Sequence, residues 1–199
     1  TPTTSDTITT GNWMAASLND RTYFFQSGYK PLVYTNETTT DEFSTIDHHH
    51  GNGTVPSAGI VMSAYGRLWA ASTGTNKTVV YFSDLLDGTA WHSGSAGSLN
   101  IAGSFAKDSD IITGLAAHNG FLIIFCQNSI MIYKDSDDFV GSFDVATLSL
   151  VETIEGIGCI SHDSIQNTGE DILFLSATGL RSLGRTIQEK SQPLRDLSR

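Results

Sequence analysis

Apolar residues in this chain gather into short runs, each introduced by a turn. The run returns four times, as Arg21-Thr22-Tyr23-Phe24-Phe25-Gln26, Arg67-Leu68-Trp69-Ala70-Ala71, Phe121-Leu122-Ile123-Ile124-Phe125 and Asp171-Ile172-Leu173-Phe174-Leu175. The first residues lie 46, 54 and 50 positions apart, about the length of one propeller blade. Asn19-Asp20, Tyr65-Gly66, Asn119-Gly120 and Gly169-Glu170 stand before them, and a two-residue Asn-Gly linker suits a hairpin whose central residues need positive φ. Runs this short, bounded by turns and without a long 3.6-residue apolar stripe, predict strands. The repeat unit is a β-meander.

Around each run the pattern predicts further strands. The first repeat places them at 12–18, 21–26, 31–35 and 41–46, the second at 59–64, 67–72, 78–83 and 90–101, and the third at 111–118, 121–127, 129–134 and 143–152. The fourth has 159–165, 171–176 and 180–185 but no outermost strand. First strands carry small residues, as in Ala15-Ala16, Ser63-Ala64 and Ala116-Ala117, which permits close approach around an axis. Second strands are apolar throughout, as expected of strands buried on both faces. A sandwich or barrel would also show regularly spaced strands, but neither demands one four-strand order repeated. The expected fold is all-β, a β-propeller of four-stranded antiparallel meander blades. About four blades fall in this chain, with repeats near 12–46, 59–101, 111–152 and 159–186, a domain over 1–187 and a polar tail or linker over 188–199. The spare segment from Thr3 to Thr9 is expected to pair outside 180–185 and close the last sheet.

Composition narrows the function. Nineteen Gly with abundant Ser and Thr agree with many tight turns. With 21 acidic against 11 basic residues the net charge is −10, which disfavours tight binding to nucleic-acid phosphates or anionic lipid. The longest apolar run, Phe121 to Cys126, is six residues, far below the roughly 20 of a bilayer-spanning helix, and no membrane span is expected. Cys126 and Cys159 show neither CxxC spacing nor a partner His and read as small buried hydrophobes. A start at Thr1-Pro2 and a polar end from Gln188 onward read as an excerpt of something longer.

Candidate chemistry is sparse. The stretch from Ser83 to Trp91 resembles the Asp-box hairpin of sialidases and other propellers, with a longer Ser-to-Asp spacing; its Asp is expected to bond turn amides. A sialidase needs three convergent Arg, a Tyr nucleophile and its acidic partner. Arg21 and Arg67 share a repeat position, but Phe121 and Asp171 stand there in the other repeats. His48, His49 and His50 form the most metal-like string, yet consecutive residues in an extended chain point to opposite sides. Asp135, Asp137 and Asp138 lack the Gly and Glu positions of an EF-hand. His162-Asp163-Ser164 sets triad-type residues side by side, the wrong geometry for a relay, and Gly156-Ile157-Gly158 precedes a strand where a phosphate cradle needs a helix. Neither a cofactor nor a metal site is expected. The candidate interaction loops are therefore Asp47, His48, His49, His50 and Asn52 on the long connection, and Asp135, Asp137 and Asp138 on the acidic turn.

The wording of the repeats carries a family resemblance. Residues Gly66 to Ala71 with Val80-Tyr81-Phe82-Ser83-Asp84, then Ile112 to Phe125, Ile157 to Ile165 and Asp171 to Leu183, resemble the propeller portion of tail nozzle proteins (tail tubular protein B) of short-tailed bacteriophages. The resemblance implies a non-enzymatic structural protein of the virion tail. It also implies a homo-oligomeric ring, six-fold in the family, through which DNA is ejected without specific binding, and contacts to tail adaptor or tail fibre proteins. Two other classes stay open. A carbohydrate- or receptor-binding propeller would use Trp13, Tyr29, Tyr65 and Trp91, and a propeller glycoside hydrolase would need an acidic pair from Glu152, Glu155 and Asp171.

Overall fold

Three of the predicted turns put two successive residues in the left-handed region: Asn19 and Asp20 at φ 49° and 60°, Tyr65 and Gly66 at 53° and 69°, Asn119 and Gly120 at 48° and 78°. Two positive φ values make a type I′ turn, whose twist matches the strands it joins. The computed structural model describes residues 10–37, 40–46, 55–105, 110–136 and 143–191. The segment Thr3 to Thr9, and with it the closing-strand expectation, lies outside the described residues.

The described chain is all-β with one helix, and its strands form four antiparallel sheets. The first holds β1 (Met14–Leu18), β2 (Arg21–Phe25), β3 (Leu32–Glu37) and β4 (Thr40–Thr45); the second holds β5 (Ala58–Ala64), β6 (Arg67–Thr73), β7 (Val79–Phe82) and β8 (Gly97–Asn100). The third holds β9 (Ile112–His118), β10 (Phe121–Cys126), β11 (Ser129–Asp135) and β12 (Leu148–Glu155), in each case with neighbours in chain order. The fourth has three strands, β13 (Gln166–Asn167), β14 (Ile172–Ser176) and β15 (Gly179–Ser182), and helix α1 (Leu183–Ser191) follows.

The departures from the pattern have physical causes. Residues 90–96, read as strand, form a loop that turns inward at Trp91, so only Gly97–Asn100 pairs. In the fourth repeat His162–Ser164 winds into a short 3-10 turn, leaving two residues for β13. The strand read over 180–185 ends at Ser182, where the chain enters α1. Ser182 caps that helix through its Oγ, which accepts the Arg185 amide at 3.2 Å. The helix continues to Ser191, through the start of the segment read as a polar tail.

The chain divides into two compact units at residues 115 and 116, a boundary inside β9. Each unit contains one face-to-face joint between sheets, and both follow one rule. Counting from the aligned positions Arg21, Arg67, Phe121 and Asp171, second-strand residues two and four places on form a leading face. Those one and three places on form a trailing face, because side chains alternate along a strand. In the first unit Tyr23 and Phe25, on the leading face of the first sheet, bury against Leu68 and Ala70 on the trailing face of the second. In the second unit Ile123 and Phe125 lead, and Ile172 and Phe174 trail.

Candidate functional site

Polar residues near the joints hold loops in place. Arg67 opens β6 and is buried, with 4% exposure. Its guanidinium donates to the Ser83 carbonyl at 2.8 Å, to the Ser95 carbonyl at 3.2 Å and to Ser95 Oγ at 2.7 Å, and lies 4.0 Å from Asp84. Asp84 Oδ1 accepts the Leu85 amide at 2.8 Å, the Ser95 amide at 3.0 Å and Ser95 Oγ at 2.8 Å. The Ser95 amide is the leading reason that its carboxyl is held below the usual carboxylate range, with the Arg67 charge adding to it. This ties down the whole connection between β7 and β8.

Within that connection the Asp-box-like stretch behaves as its composition suggests. Asp87 Oδ1 accepts the Thr89 amide at 2.9 Å and the Thr89 hydroxyl at 2.6 Å. Trp91 is 3% exposed, donates from its indole nitrogen to the Gly88 carbonyl at 2.9 Å, and meets Phe25 edge-on with ring centroids 5.8 Å apart. Gly88 is required here because a Cβ would stand 2.5 Å from Tyr23 Cζ and 2.6 Å from Leu68 Cδ1. Tyr23 itself is 1% exposed, and burial pushes its phenol pKa up. A nucleophilic Tyr needs the opposite on both counts.

In the second unit Asp171 occupies a comparable post. Its Oδ1 accepts the Ile172 amide at 2.7 Å and the Gly184 amide at 2.9 Å, while Oδ2 accepts the Ser182 hydroxyl. Burial pushes this carboxyl up, but the hydrogen bonds from Ser182, Gly184 and Ile172 outweigh it and leave the pKa lowered. Asp171 thereby fixes the first turn of α1, where a negative charge also suits the helix dipole. Arg185 and Arg181 meet Glu189 on the same helix at 3.0 and 3.5 Å.

Of the interaction-loop candidates, Asp47, His48, His49, His50, Asn52, Asp137 and Asp138 lie outside the described residues. Asp135 is buried at the end of β11 with 5% exposure, accepting the Asp144 amide at 2.7 Å and the Thr147 hydroxyl. Its carboxylate is engaged in closing the loop between β11 and β12. Among the aromatic candidates Trp91 is buried, Trp13 and Tyr65 are half-buried and Tyr29 is exposed.

His162, Asp163 and Ser164 share one short turn, and Ser164 Oγ donates to the Ser161 carbonyl at 2.7 Å and accepts the Leu175 amide at 3.2 Å. Burial pushes the His162 pKa down, against the pull of neighbouring Asp163. Neither cysteine is in a disulfide and both are fully buried, as expected. Cys159 packs in the core with Phe125, on the face opposite the one its strand neighbour Cys126 occupies. Gly158 passes so close to that strand that a Cβ would lie 2.3 Å from the Cys126 carbonyl oxygen. No group of three metal-ligating side chains gathers among the described residues, and no described helix is long and apolar enough to cross a membrane.

Sequence reasoning missed the Arg67–Asp84–Ser95 tie and the Asp171–Ser182 latch. The local signals were present, an Asp directly before a turn and a Ser directly before a helix, but the partners that complete them are 11 to 28 residues away. Compared with protein-family models and with curated proteins, the sequence has no match to either.

Proposed function

We propose that this chain is a structural component of a virion tail, part of the nozzle through which DNA is ejected, with its meander sheets arranged radially as propeller blades in a homo-oligomeric ring. The observation that carries the propeller is the repeated joint: the same two second-strand offsets bury leading face on trailing face in both units. A propeller repeats one joint from blade to blade, and the two joints here use the same offsets. The tail assignment rests on the resemblance of Gly66 to Ala71, Val80 to Asp84, Ile112 to Phe125, Ile157 to Ile165 and Asp171 to Leu183 to the nozzle proteins. The polar groups support a scaffold: Arg67, Asp84, Asp87, Asp135 and Asp171 each hold a turn or helix of the chain itself. A net charge of −10 suits a conduit along which phosphates slide without adhering.

The test is immunogold labelling of particles made from a genome that carries this gene, paired with electron microscopy of the purified chain. Label at the far end of the tail and ring-shaped particles support the reading. Label absent from virions, together with hydrolysis of a glycoside panel that Asp171→Asn abolishes without unfolding the chain, overturns it in favour of an enzyme.

A further inference from the structure

Among the described residues, one of the three I′ turns sets a carboxamide directly before a glycine. Asn119-Gly120 lies exposed between β9 and β10, whereas Asn19 precedes Asp20 and Tyr65 precedes Gly66. An Asn-Gly pair carries a chemistry of its own. The Gly120 amide nitrogen, unshielded by any side chain on its own residue, attacks Asn119 Cγ and passes its proton through water to the amide nitrogen Nδ2. The Cγ–Nδ2 bond breaks, ammonia leaves and a five-membered succinimide remains. One water then opens the ring at either carbonyl, giving aspartate or, where the main chain now runs through the side chain, isoaspartate. Water is the sole co-reactant.

The turn decides when this chemistry runs. Ring closure needs the Gly120 nitrogen eclipsed with Asn119 Cβ about the Cα–C bond. With φ 48° at Asn119, the left-handed conformation of an I′ turn brings ψ to about +30 to +50°, and at that ψ an L residue holds the following nitrogen nearly opposite its Cβ. The carboxamide is also drawn the other way, its Nδ2 lying 3.0 Å from Nε2 of the preceding His118. We infer that Asn119 is a self-modification site that the folded turn keeps closed, that local opening of the β9–β10 hairpin releases, and whose isoaspartyl product bars the turn from reforming. An isoaspartyl link adds a methylene to the main chain, and a two-residue I′ turn has no place for it. The hairpin matters to the second unit: β10 supplies Ile123 and Phe125 and β9 supplies Ala116 to the core that Ile172 and Phe174 complete, and the Ala117 carbonyl accepts Asn167 Nδ2 at 3.2 Å. Local openings occur without global unfolding, so the site keeps a chemical record of how often this hairpin has opened.

Two measurements test it on the full chain. Peptide mapping by mass spectrometry follows amide loss at Asn119 in warm neutral buffer, in the folded chain, in the chain unfolded by guanidinium and across sub-denaturing guanidinium, each rate taken relative to a free peptide of residues 116–122 in the same solution. The folded chain is expected to react about tenfold or more slowly than the unfolded one, and its rate to rise with guanidinium in step with hydrogen exchange at the Phe121 amide. For the second measurement Asn52→Ser removes the other Asn-Gly pair of the sequence. In that background, chain aged while unfolded, refolded and separated by chromatography yields an isoaspartyl fraction expected to melt below Asn119→Asp, because Asp-Gly still fits an I′ turn. Equal rates in folded and unfolded chain, or no reaction in either, overturn the inference. A folded rate indifferent to guanidinium overturns the release by hairpin opening, and an isoaspartyl fraction that melts together with Asn119→Asp overturns the bar on the turn.

Discussion

Where the first two sheets meet, Phe25 packs edge-on against Trp91, delivered by a loop that Arg67 and Asp84 hold down. Where the third and fourth meet, Phe125 packs against Phe174 with centroids 5.0 Å apart, and the margin is filled by Leu183 and Ile187 from a helix that Asp171 holds down. The faces follow one rule and the finishing pieces do not. In both places one carboxylate takes the amide of the next residue, a distant amide and a distant Ser hydroxyl. The difference lies in charge: Asp84 has the buried Arg67 beside it, whereas Asp171 faces a helix N-terminus. The same anchoring task is thus performed by different local chemistry, and the repeat is conserved in geometry more than in residues.

The largest expected effect comes from emptying either joint. Phe174→Ala and Trp91→Ala should each cost about 3–5 kcal/mol in denaturant unfolding, from lost burial plus the cavity left. A loss under about 1 kcal/mol in either would show that joint to be loosely packed. Next is Arg67→Met, expected to cost about 2–4 kcal/mol because the Ser83 and Ser95 carbonyls lose a buried charged donor. Arg67→Lys should recover only part of this, since an ammonium cannot span Ser83 and Ser95 in the same fork. Gly158→Ala should cost about 1–3 kcal/mol and more than Gly88→Ala, because its Cβ meets backbone of Cys126 and Gln127 whereas that of Gly88 meets side chains that can shift. The reverse order in melting experiments would mean that the Tyr23–Leu68 packing is the stiffer wall.

These ties also show what was legible in the sequence. The hairpin turns and second strands were readable because both signals are local: a left-handed pair of residues and an unbroken apolar run. The inward loop at Trp91 and helix α1 were not, since each depends on a carboxylate whose partners arrive later in the chain. Trp91 fits a strand by propensity, and burial of its indole against Phe25 overrides it. For Leu180 to Arg185 the decisive residue was Ser182, a helix cap that also fits a strand end. The loop candidates suffered from a different ambiguity. A run of Asp reads as solvated, yet Asp135 is drawn inside by the amide and hydroxyl it satisfies.

Smaller effects should separate the two anchors by pH. Asp84→Asn and Asp171→Asn should each cost about 1–2 kcal/mol at neutral pH. Both carboxyls are held below their ordinary pKa, so their stabilisation is complete above about pH 4 and is lost as pH falls further. Acid unfolding curves of the two variants should therefore converge on wild type only at the acid end. The smallest effect belongs to His162, whose folded pKa is also depressed. Its neutral form is favoured by folding, so stability should begin to decline as pH drops through about 6.5, and His162→Gln should flatten that part of the curve. An unchanged slope would assign the decline to another group.

Every strand in the four sheets pairs with its neighbour in chain order, and the I′ turns set register at the first contact. A ribosome takes a few seconds to release a repeat of this length, whereas a hairpin closes in microseconds. Each sheet can therefore finish its ladder before the next leaves the exit tunnel, and within each unit the second sheet then docks on a leading face already built. Synthesis itself thus supplies the order of assembly within each unit.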